Sequence, residues 1–424
     1  MGIIEIFVLL TTLILFIQGS FIVVASLYTW RRPETVTEVK PSRLVYGQSK
    51  TKFSLIIPAR HEENIIKETL LAYNQIDYPR ELLEVFVVVR VDDSKTTAKI
   101  KEALKEINYN LQLIAFDDLP INKPKGLNEG LKGARGDFVG IFDAEDRPHP
   151  EILKTIDFFL EENPGTDVVQ GGVQLINLKD NWFTPLSCLE YYYWFKSVIP
   201  LLSKLTAVPL GGNTIFIKRS ALEKLKGWDE TILTEDADLG IRLSSLNYKI
   251  GTIYSEELAT LEETPKTITS FIQQRTRWVQ GFLQTIAKGW WRKQKDYKKQ
   301  VLTFYLLSQP IIHSLLSFLF LLGPLFSIFV RVPVWLSLIS YLPLYFLFLH
   351  WGLILIGLWH LKSDYQIKVT PAICLKAILF YFPYQTLVLL AFLRAVTRMF
   401  LGNFSWEKTV HYEIDRFALA GLKE

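Results

Sequence analysis

Three stretches of this chain, residues 6–30, 301–330 and 332–359, contain no Asp, Glu, Lys or Arg. Each exceeds the ~20 apolar residues that a helix needs to cross hydrocarbon. A fourth run, 377–393 between Lys376 and Arg394, is shorter and interrupted by Pro383. These runs call for a membrane protein, and the 49% hydrophobic and 13% aromatic content agrees with that. The first run has no basic segment before it and ends in Tyr28-Thr29-Trp30-Arg31-Arg32 rather than at small residues. It reads as an uncleaved anchor and not a signal peptide. Arg31 and Arg32 then place the segment after them on the cytoplasmic side.

Little else in the bulk composition is selective. A net charge of +4 over 424 residues is no argument for nucleic acid. The basic cluster Arg292-Lys293-Gln294-Lys295 to Lys298-Lys299 reads as a collar facing anionic headgroups. Cys188 and Cys374 are too far apart in sequence to announce a disulfide framework or a zinc site.

Between the apolar ends the pattern changes. Short β-branched runs alternate with polar, helix-like segments, the signature of an α/β domain with a largely parallel sheet. Strands are predicted at 53–57, 85–89, 111–116, 138–142, 168–175 and 214–217, and helices at 62–76, 95–107, 125–134, 150–162 and 236–247. The organisation predicted is a transmembrane helix at 1–30, a linker at 31–50, a catalytic domain at 51–262, amphipathic interfacial helices at 263–300, membrane helices at 301–400 and a tail at 401–424.

Open α/β sheets bind ligands beyond the carboxyl ends of their strands, and there this chain is acidic. The first strand runs into Ala59-Arg60-His61-Glu62-Glu63, the second is followed by Asp92-Asp93, the third by Asp117-Asp118, and the fourth by Asp143-Ala144-Glu145-Asp146. No GxGxxG follows the first strand and no P-loop occurs, which leaves little for dinucleotide or ATPase readings. Converging carboxylates repel unless a cation lies between them, and oxygen ligands suit Mg²⁺ or Mn²⁺, which complete their shells with phosphate. Asp143 and Glu145, two apart at a strand end, project to one side and are assigned to metal. Asp146 is free to cap the helix near Pro150. Taken alone, the cluster is equally a solvated loop.

Two further constellations stand nearer the carboxyl end. In Thr234-Glu235-Asp236-Ala237-Asp238, Thr234 can cap a helix and Glu235 and Asp238 can complement its dipole, while Asp236 can act as a general base. Gln273-Gln274-Arg275-Thr276-Arg277-Trp278 lies in a helix expected to open at Thr264 and Pro265. Ile268, Phe271, Ile272, Arg275, Val279, Phe282 and Ile286 form one face, suited to a membrane interface. Gln274, Arg277 and Trp278 share another, where an arginine can hold a diphosphate and a tryptophan can stack on a sugar.

In this order, Asp92-Asp93, Lys123-Pro124-Lys125-Gly126-Leu127-Asn128, "DAED", "TED" and "QRTRW" resemble the membrane-integrated family 2 glycosyltransferases, the group of cellulose, chitin and hyaluronan synthases and ceramide glucosyltransferase. The resemblance covers nearly the whole chain. It implies a cytoplasmic, Rossmann-like GT-A domain with transmembrane and interfacial helices, integral to the cell membrane. Ala59, Arg60, Glu62 and Asp92 would contact the donor nucleoside, with Lys125 near it. Asp143 and Glu145 would bind Mg²⁺ or Mn²⁺ and through it the diphosphate. Asp236 would be the base, and Gln274, Arg277 and Trp278 would close over diphosphate and acceptor. Gly211-Gly212-Asn213 looks like the family's glycine turn beside the donor sugar, and Phe404 to His411 resembles a tail motif that returns to the catalytic side. Glu145 departs from the commoner Asp of the metal motif. If all four apolar runs cross, the tail emerges on the far side, against an approach of His411 to the site; a re-entrant 377–393 would remove the conflict.

The reading is a metal-dependent, inverting transferase moving a sugar from a nucleoside diphosphate sugar, with uridine favoured by the resemblance, to a lipid or lipid-linked acceptor. With so few spans a polymer channel is harder to build, so the processive polysaccharide synthase, with its glycan acceptor, is second. A transporter or an inactive nucleotide-binding scaffold is the alternative of another class; His313 and His350 are the only ionisable residues in the uncharged runs that could serve a transport path.

Overall fold

The computed structural model describes residues 2–32, 39–318 and 333–407. After helix α1 (Ile3–Ser26), the central domain alternates β1 (Phe53–Pro58), α2 (Ile66–Ala72), β2 (Leu83–Arg90), α3 (Ser94–Ala103), β3 (Asn110–Phe116), α4 (Lys123–Gly133), β4 (Phe138–Ile141) and α5 (Ile152–Glu162). Next come β5 (Val168–Gln170), β6 (Val173–Leu175), α6 (Thr184–Tyr193), α7 (Ile199–Leu205), β7 (Ile215–Lys218), α8 (Arg219–Leu225), α9 (Glu235–Ser245), β8 (Ile250–Thr252) and β9 (Thr260–Glu262). Long α10 (Ile268–Lys288) leads to α11 (Tyr297–Leu307), α12 (Gln309–Phe318), α13 (Val334–Ser340), α14 (Leu342–Tyr365), α15 (Pro371–Leu379) and α16 (Tyr381–Phe400).

A seven-stranded sheet has the order β3-β2-β1-β4-β7-β5-β8, parallel except for β7, which runs antiparallel to β4 and β5. Its central strands are covered on both faces, which is why β1 and β2 read as near-continuous apolar runs. Alternation then divides them: Phe53, Leu55 and Ile57 join the core under α2, α3 and α5, while Ile56, Phe86 and Val88 join the core under α4, α7 and α9. Fully burying such a side chain contributes about 1.5–3 kcal/mol, against the ~1 kcal/mol span of strand propensity. Burial therefore sets the register.

Several boundaries differ from expectation. The single strand expected at 168–175 is two strands in two sheets, broken at Gly171-Gly172, with β6 pairing β9 in a separate two-stranded sheet. Helix α10 starts three residues beyond Thr264, with Thr267 as its cap accepting from the Ser270 N–H at 3.1 Å. Much of its apolar face packs against protein, while Ile268 at its start is exposed. Phe271 is buried among Phe183, Tyr384 and Leu387, and Phe282 and Ile286 pack with Trp290 and Trp291. Neither Thr234 nor Asp146 caps a helix through its side chain; the carboxylate of Asp146 is used inside its own loop.

Two helical segments, Ile3–Ser26 and Val334–Tyr365, are long and apolar enough to cross a membrane. The pairs α11–α12 and α15–α16 are bent by 52° and 51°, each either a broken span or a re-entrant element, so the described residues hold up to four candidate spans. Residues 319–330 of the second apolar run and Val332 of the third lie outside the described residues, as does His411. The expected linker does not hang free: Ser42 Oγ donates to Glu257 at 2.9 Å, and the Tyr46 hydroxyl lies 2.9 Å from that of Thr155.

Candidate active site

Beyond β4 the chain leaves the strand and turns at Ala144-Glu145. The Asp143 N–H donates to Asp146 Oδ2 at 2.7 Å and the Asp146 N–H to the Asp143 carbonyl at 3.0 Å. This turn brings together residues three apart rather than two. Asp143, Asp146 and Glu262 offer carboxylate oxygens that all lie within 4.8 Å of one another, and Glu145, 7% exposed, is not in that group. Among the described residues Asp143, Asp146 and Glu262 thus form a carboxylate group beside the expected Asp143–Glu145 pair. Asn213 ties two of them, donating from Nδ2 to Asp146 at 2.8 Å and to Glu262. Asp146 is wholly buried, and its Oδ1 has no hydrogen-bond partner. Burial first, then the charges of Glu262, Asp143 and Glu145, raises its carboxyl well above the usual range. An orphaned oxygen within such a crowd is the arrangement a divalent cation relieves, and an all-oxygen donor set fits Mg²⁺ or Mn²⁺.

A cation of the chain's own stands beside these acids. Lys123 Nζ is 2.5 Å from Asp143 Oδ1 and donates to the Gly212 carbonyl at 2.8 Å. Burial alone would depress this ammonium, but Asp143, Glu235 and Asp236 together hold it above its ordinary value. Lys125, the lysine expected to lie near the donor nucleoside, pairs with Glu129 at 2.9 Å and faces Asp118 at 3.9 Å. Two residues apart on a helix point to opposed sides, so only one lysine of the Lys-Pro-Lys can enter the cluster. The cap at Asn122, which accepts from the Lys125 N–H, fixes which one.

Helix α9 begins at the cluster. Glu235 is buried, and burial, then Asp236, pushes its carboxyl up to about 7. Burial also raises Asp236, which Lys123 and backbone N–H groups partly counter. Asp238 faces the other way, paired with Arg242 Nε at 2.7 Å, and is structural. From α10 the Arg277 guanidinium lies in the field of Glu235, Asp236 and Asp143. It donates to the Glu407 carbonyl at 2.8 Å and sits 5.8 Å from the Trp406 ring. The Glu407 carboxylate is held by Arg394 at 2.6 Å and Arg398 at 2.9 Å. The described part of the tail thus reaches the site. Arg275 does not share this face. It pairs with Glu190, donates to the Tyr384 hydroxyl at 3.1 Å, and covers the Trp278 ring at 4.4 Å. Its charge is committed to packing Trp278, whose other neighbour is Tyr191 at 6.1 Å. Gln274 is half-buried on the same helix.

At the far end of the rim, beyond β1 and β2, Ala59 is buried with its N–H on the Val88 carbonyl at 2.9 Å. Arg60 Nη2 approaches Asp92 at 3.8 Å, and Arg90 Nε approaches the same carboxylate at 3.4 Å. Asp93, not Asp92, is the buried acid: it accepts from the His61 N–H at 2.6 Å and caps α3 through the Thr96 N–H at 3.3 Å. The Glu62 N–H donates to Thr96 Oγ1 at 3.0 Å. Arg60 and Asp92, with side chains 28% and 51% exposed, present an open, charged edge.

One glycine governs how closely α10 approaches these acids. A Cβ on Gly281 would lie 2.1 Å from Thr234 Oγ1 and 2.7 Å from Thr234 Cβ, directly before Glu235 and Asp236. Gly281→Ala is expected to displace the start of α9, costing about 1–3 kcal/mol of stability and lowering kcat about tenfold or more. Thermal unfolding and steady-state turnover measured on one preparation check it; unchanged turnover would show that the close contact is incidental.

Residues 51–281, over half the chain, match the family model described as glycosyltransferase like family 2. A probable glycosyltransferase of Bacillus subtilis is 26% identical over 389 residues, covering 85% of this chain and 87% of that one. A beta-monoglucosyldiacylglycerol synthase of Synechocystis is 27% identical over 352 residues, 76% of this chain and 72% of that one. A poly-beta-1,6-N-acetyl-D-glucosamine synthase of Staphylococcus epidermidis is 27% identical over 264 residues, 60% and 59% of the two chains. Among solved structures, a mannosyltransferase from Pyrobaculum calidifontis in complex with GDP-Man and Mn2+ superposes with a TM-score of 0.54 at 20% identity, covering 91% of this chain and 99% of that one. The overall fold is shared.

Proposed function

Since the chain belongs to glycosyltransferase family 2 and has the GT-A fold, we propose that its acidic rim carries sugar transfer from a nucleoside diphosphate sugar to a lipid acceptor at the membrane. The observation that carries this reading is the meeting of Asp143, Asp146 and Glu262 with Lys123, Asp236 and Arg277 where β4, α4, α9, β9 and α10 converge. That arrangement offers a diphosphate cations on two sides and an acceptor hydroxyl a carboxylate.

Asp236 takes the proton from the acceptor hydroxyl as its oxygen attacks the anomeric carbon from the face opposite the leaving group. The bond from that carbon to the diphosphate oxygen breaks, its electron pair leaves with the nucleoside diphosphate, and the anomeric configuration inverts. Lys123 and Arg277 stabilise the charge that develops on the leaving diphosphate, the kind of preorganised electrostatics that dominates such steps. Asp143, with Asp146 and Glu262, would hold Mg²⁺ or Mn²⁺, which as a Lewis acid neutralises the diphosphate oxygens. Glu145 keeps a supporting place beside them. Arg60, Glu62 and Asp92 line the nucleoside end with Ala59, and Gln274 and Trp278 face the acceptor. In this reading the catalytic domain faces the cytoplasm, which Arg31 and Arg32 after α1 support through the positive-inside rule.

A lipid acceptor is preferred to a growing polymer, a choice that the small number of candidate spans among the described residues, two to four, supports. The glycolipid synthase among its relatives supports that choice, and the polymer-forming relative keeps the second reading in view. Release of nucleoside diphosphate by the lipid-reconstituted protein, across a panel of nucleotide sugars with and without Mn²⁺ or Mg²⁺, tests the proposal. Product separation by chromatography and on a gel accompanies it. Metal-dependent release from one donor with a glycolipid product is expected. Absence of both turnover and donor binding would overturn the assignment of the rim.

A further inference from the structure

Gln170, the last residue of β5, is an amide buried in an otherwise apolar strand. It is 1% exposed, beside the fully buried Val168 and Val169. Burying an amide without partners costs about 1–3 kcal/mol, so the bonds it makes show what it is for. Its Oε1 accepts from the Gly211 N–H at 2.8 Å, and its Nε2 donates to the Asn213 carbonyl at 3.1 Å and to the Gly171 carbonyl at 2.9 Å. One side chain thus holds both ends of the turn at 211–213.

That turn frames the acid cluster. The Gly212 carbonyl accepts from Lys123, and the Asn213 amide joins Asp146 to Glu262. A Cβ on Gly212 would lie 3.4 Å from Asp236 Oδ2 and 3.7 Å from Lys123 Nζ, so the middle of the turn faces the gap between carboxylate and ammonium. Two adjacent glycines leave a backbone many conformations. Beyond them stands Thr214 at φ +51°, where a β-branched residue rarely sits. The sheet holds Thr214 in place, its N–H donating to the Ile141 carbonyl and its carbonyl accepting from the Gly171 N–H, each at 2.8 Å. A Cβ on Gly171 would lie 2.6 Å from Thr214 Cγ2. The bare Gly171 therefore lets β5 approach closely enough for Gln170 to reach across.

Resting on the acidic-rim reading, we propose that Gln170 is a positioning residue of the transfer. It selects the one conformation of the glycine turn in which the Gly212 carbonyl meets Lys123 and the Asn213 amide meets both acids, before a cation or a donor arrives. Preorganised support of this kind is what holds ligating and charged groups in productive geometry.

The experiment compares the reconstituted full chain with Gln170→Met, which keeps the length of the side chain, with Gln170→Glu, and with Asn74→Leu. Asn74 is the matched control. Its amide also clamps backbone, accepting from the Asn108 N–H at 3.0 Å and donating to the Glu106 carbonyl at 3.2 Å, but it does so ahead of β3, at the opposite edge of the sheet. Mn²⁺ binding by electron paramagnetic resonance, turnover of the donor and thermal unfolding are measured on each. Gln170→Met is expected to weaken Mn²⁺ binding and to lower kcat, each about tenfold or more. Asn74→Leu is expected to lose stability with both quantities within about twofold of wild type. In Gln170→Glu the buried carboxyl stays neutral, accepts from Gly211 and donates once to Asn213, and most of both losses is recovered. Wild-type Mn²⁺ affinity and kcat in Gln170→Met, equal losses in Asn74→Leu, or no recovery in Gln170→Glu overturns this inference and leaves the transferase reading standing. A wild type that neither binds Mn²⁺ nor turns over any donor overturns the rim reading and this inference together.

Discussion

Asp236→Asn is expected to lower the transfer rate by about three orders of magnitude while leaving donor affinity nearly unchanged. The amide has the shape of the carboxylate and can still accept from the backbone N–H groups at the start of α9, but it cannot take a proton. The neighbouring Glu235, held up to about 7 by burial and by Asp236, makes the two carboxyls a coupled pair whose first proton arrives near neutrality. The rate should therefore fall on the acid side as this pair takes up its first proton, because the base must be ionised. Stability should move the other way. A carboxyl whose folded value lies above its ordinary one binds protons more readily when folded, so stability is gained as pH falls through about 7 towards the ordinary carboxylate range, and is lost as pH rises. Glu235→Gln removes a like charge and is expected to shift the acid limb of the rate to lower pH with less than about a tenfold loss of rate. Nucleoside diphosphate release followed between about pH 5 and 9, with thermal unfolding in parallel, checks both statements. Retained activity in Asp236→Asn beside loss in Glu235→Gln would exchange the two roles.

How much of the molecule is legible in its sequence depends on how local the determining interaction is. β1 and β2 are legible because burial on both faces makes their composition continuous, and Asp143 and Asp236 because each stands at a strand end or helix start. The partners of Asp143 are another matter. Asp146 joins it through a turn whose hydrogen bonds no spacing rule specifies, and Glu262 arrives through the pairing of Leu175 with Glu262 in a separate sheet, more than a hundred residues further along the chain. Helical periodicity correctly separates Arg275 from Arg277. It cannot say that Arg275 meets Glu190 or that Phe271 packs among Phe183, Tyr384 and Leu387. The resemblance of Phe404 to His411 to a returning tail motif anticipates that Trp406 and Glu407 approach Arg277; what it does not specify is the anchoring of Glu407 by Arg394 and Arg398 of α16.

The lysine pair provides the sharpest contrast between local spacing and three-dimensional placement. Lys123→Met is expected to lower kcat/KM by at least several hundredfold. The change strips the counter-charge from Asp143, Glu235 and Asp236, which together hold this ammonium above its ordinary value, and breaking such a buried arrangement costs about 3–5 kcal/mol. Loss should appear in donor affinity as well as in rate, since the same charge would face the diphosphate. Lys123→Arg is expected to recover little, because a planar fork cannot occupy the position between Asp143 Oδ1 and the Gly212 carbonyl that a point charge fills. Lys125→Met, two residues away, is expected to stay within about threefold of wild type, because its pair with Glu129 lies outside the cluster around Asp143. Its partner Glu129 keeps Lys132 at 2.6 Å, so no carboxylate is left alone. Calorimetric binding of the nucleoside diphosphate alongside turnover separates these outcomes. If Lys125→Met proved the more damaging, the donor would lie along the outer face of α4, and the acids beside Lys123 would lose their claim to the diphosphate.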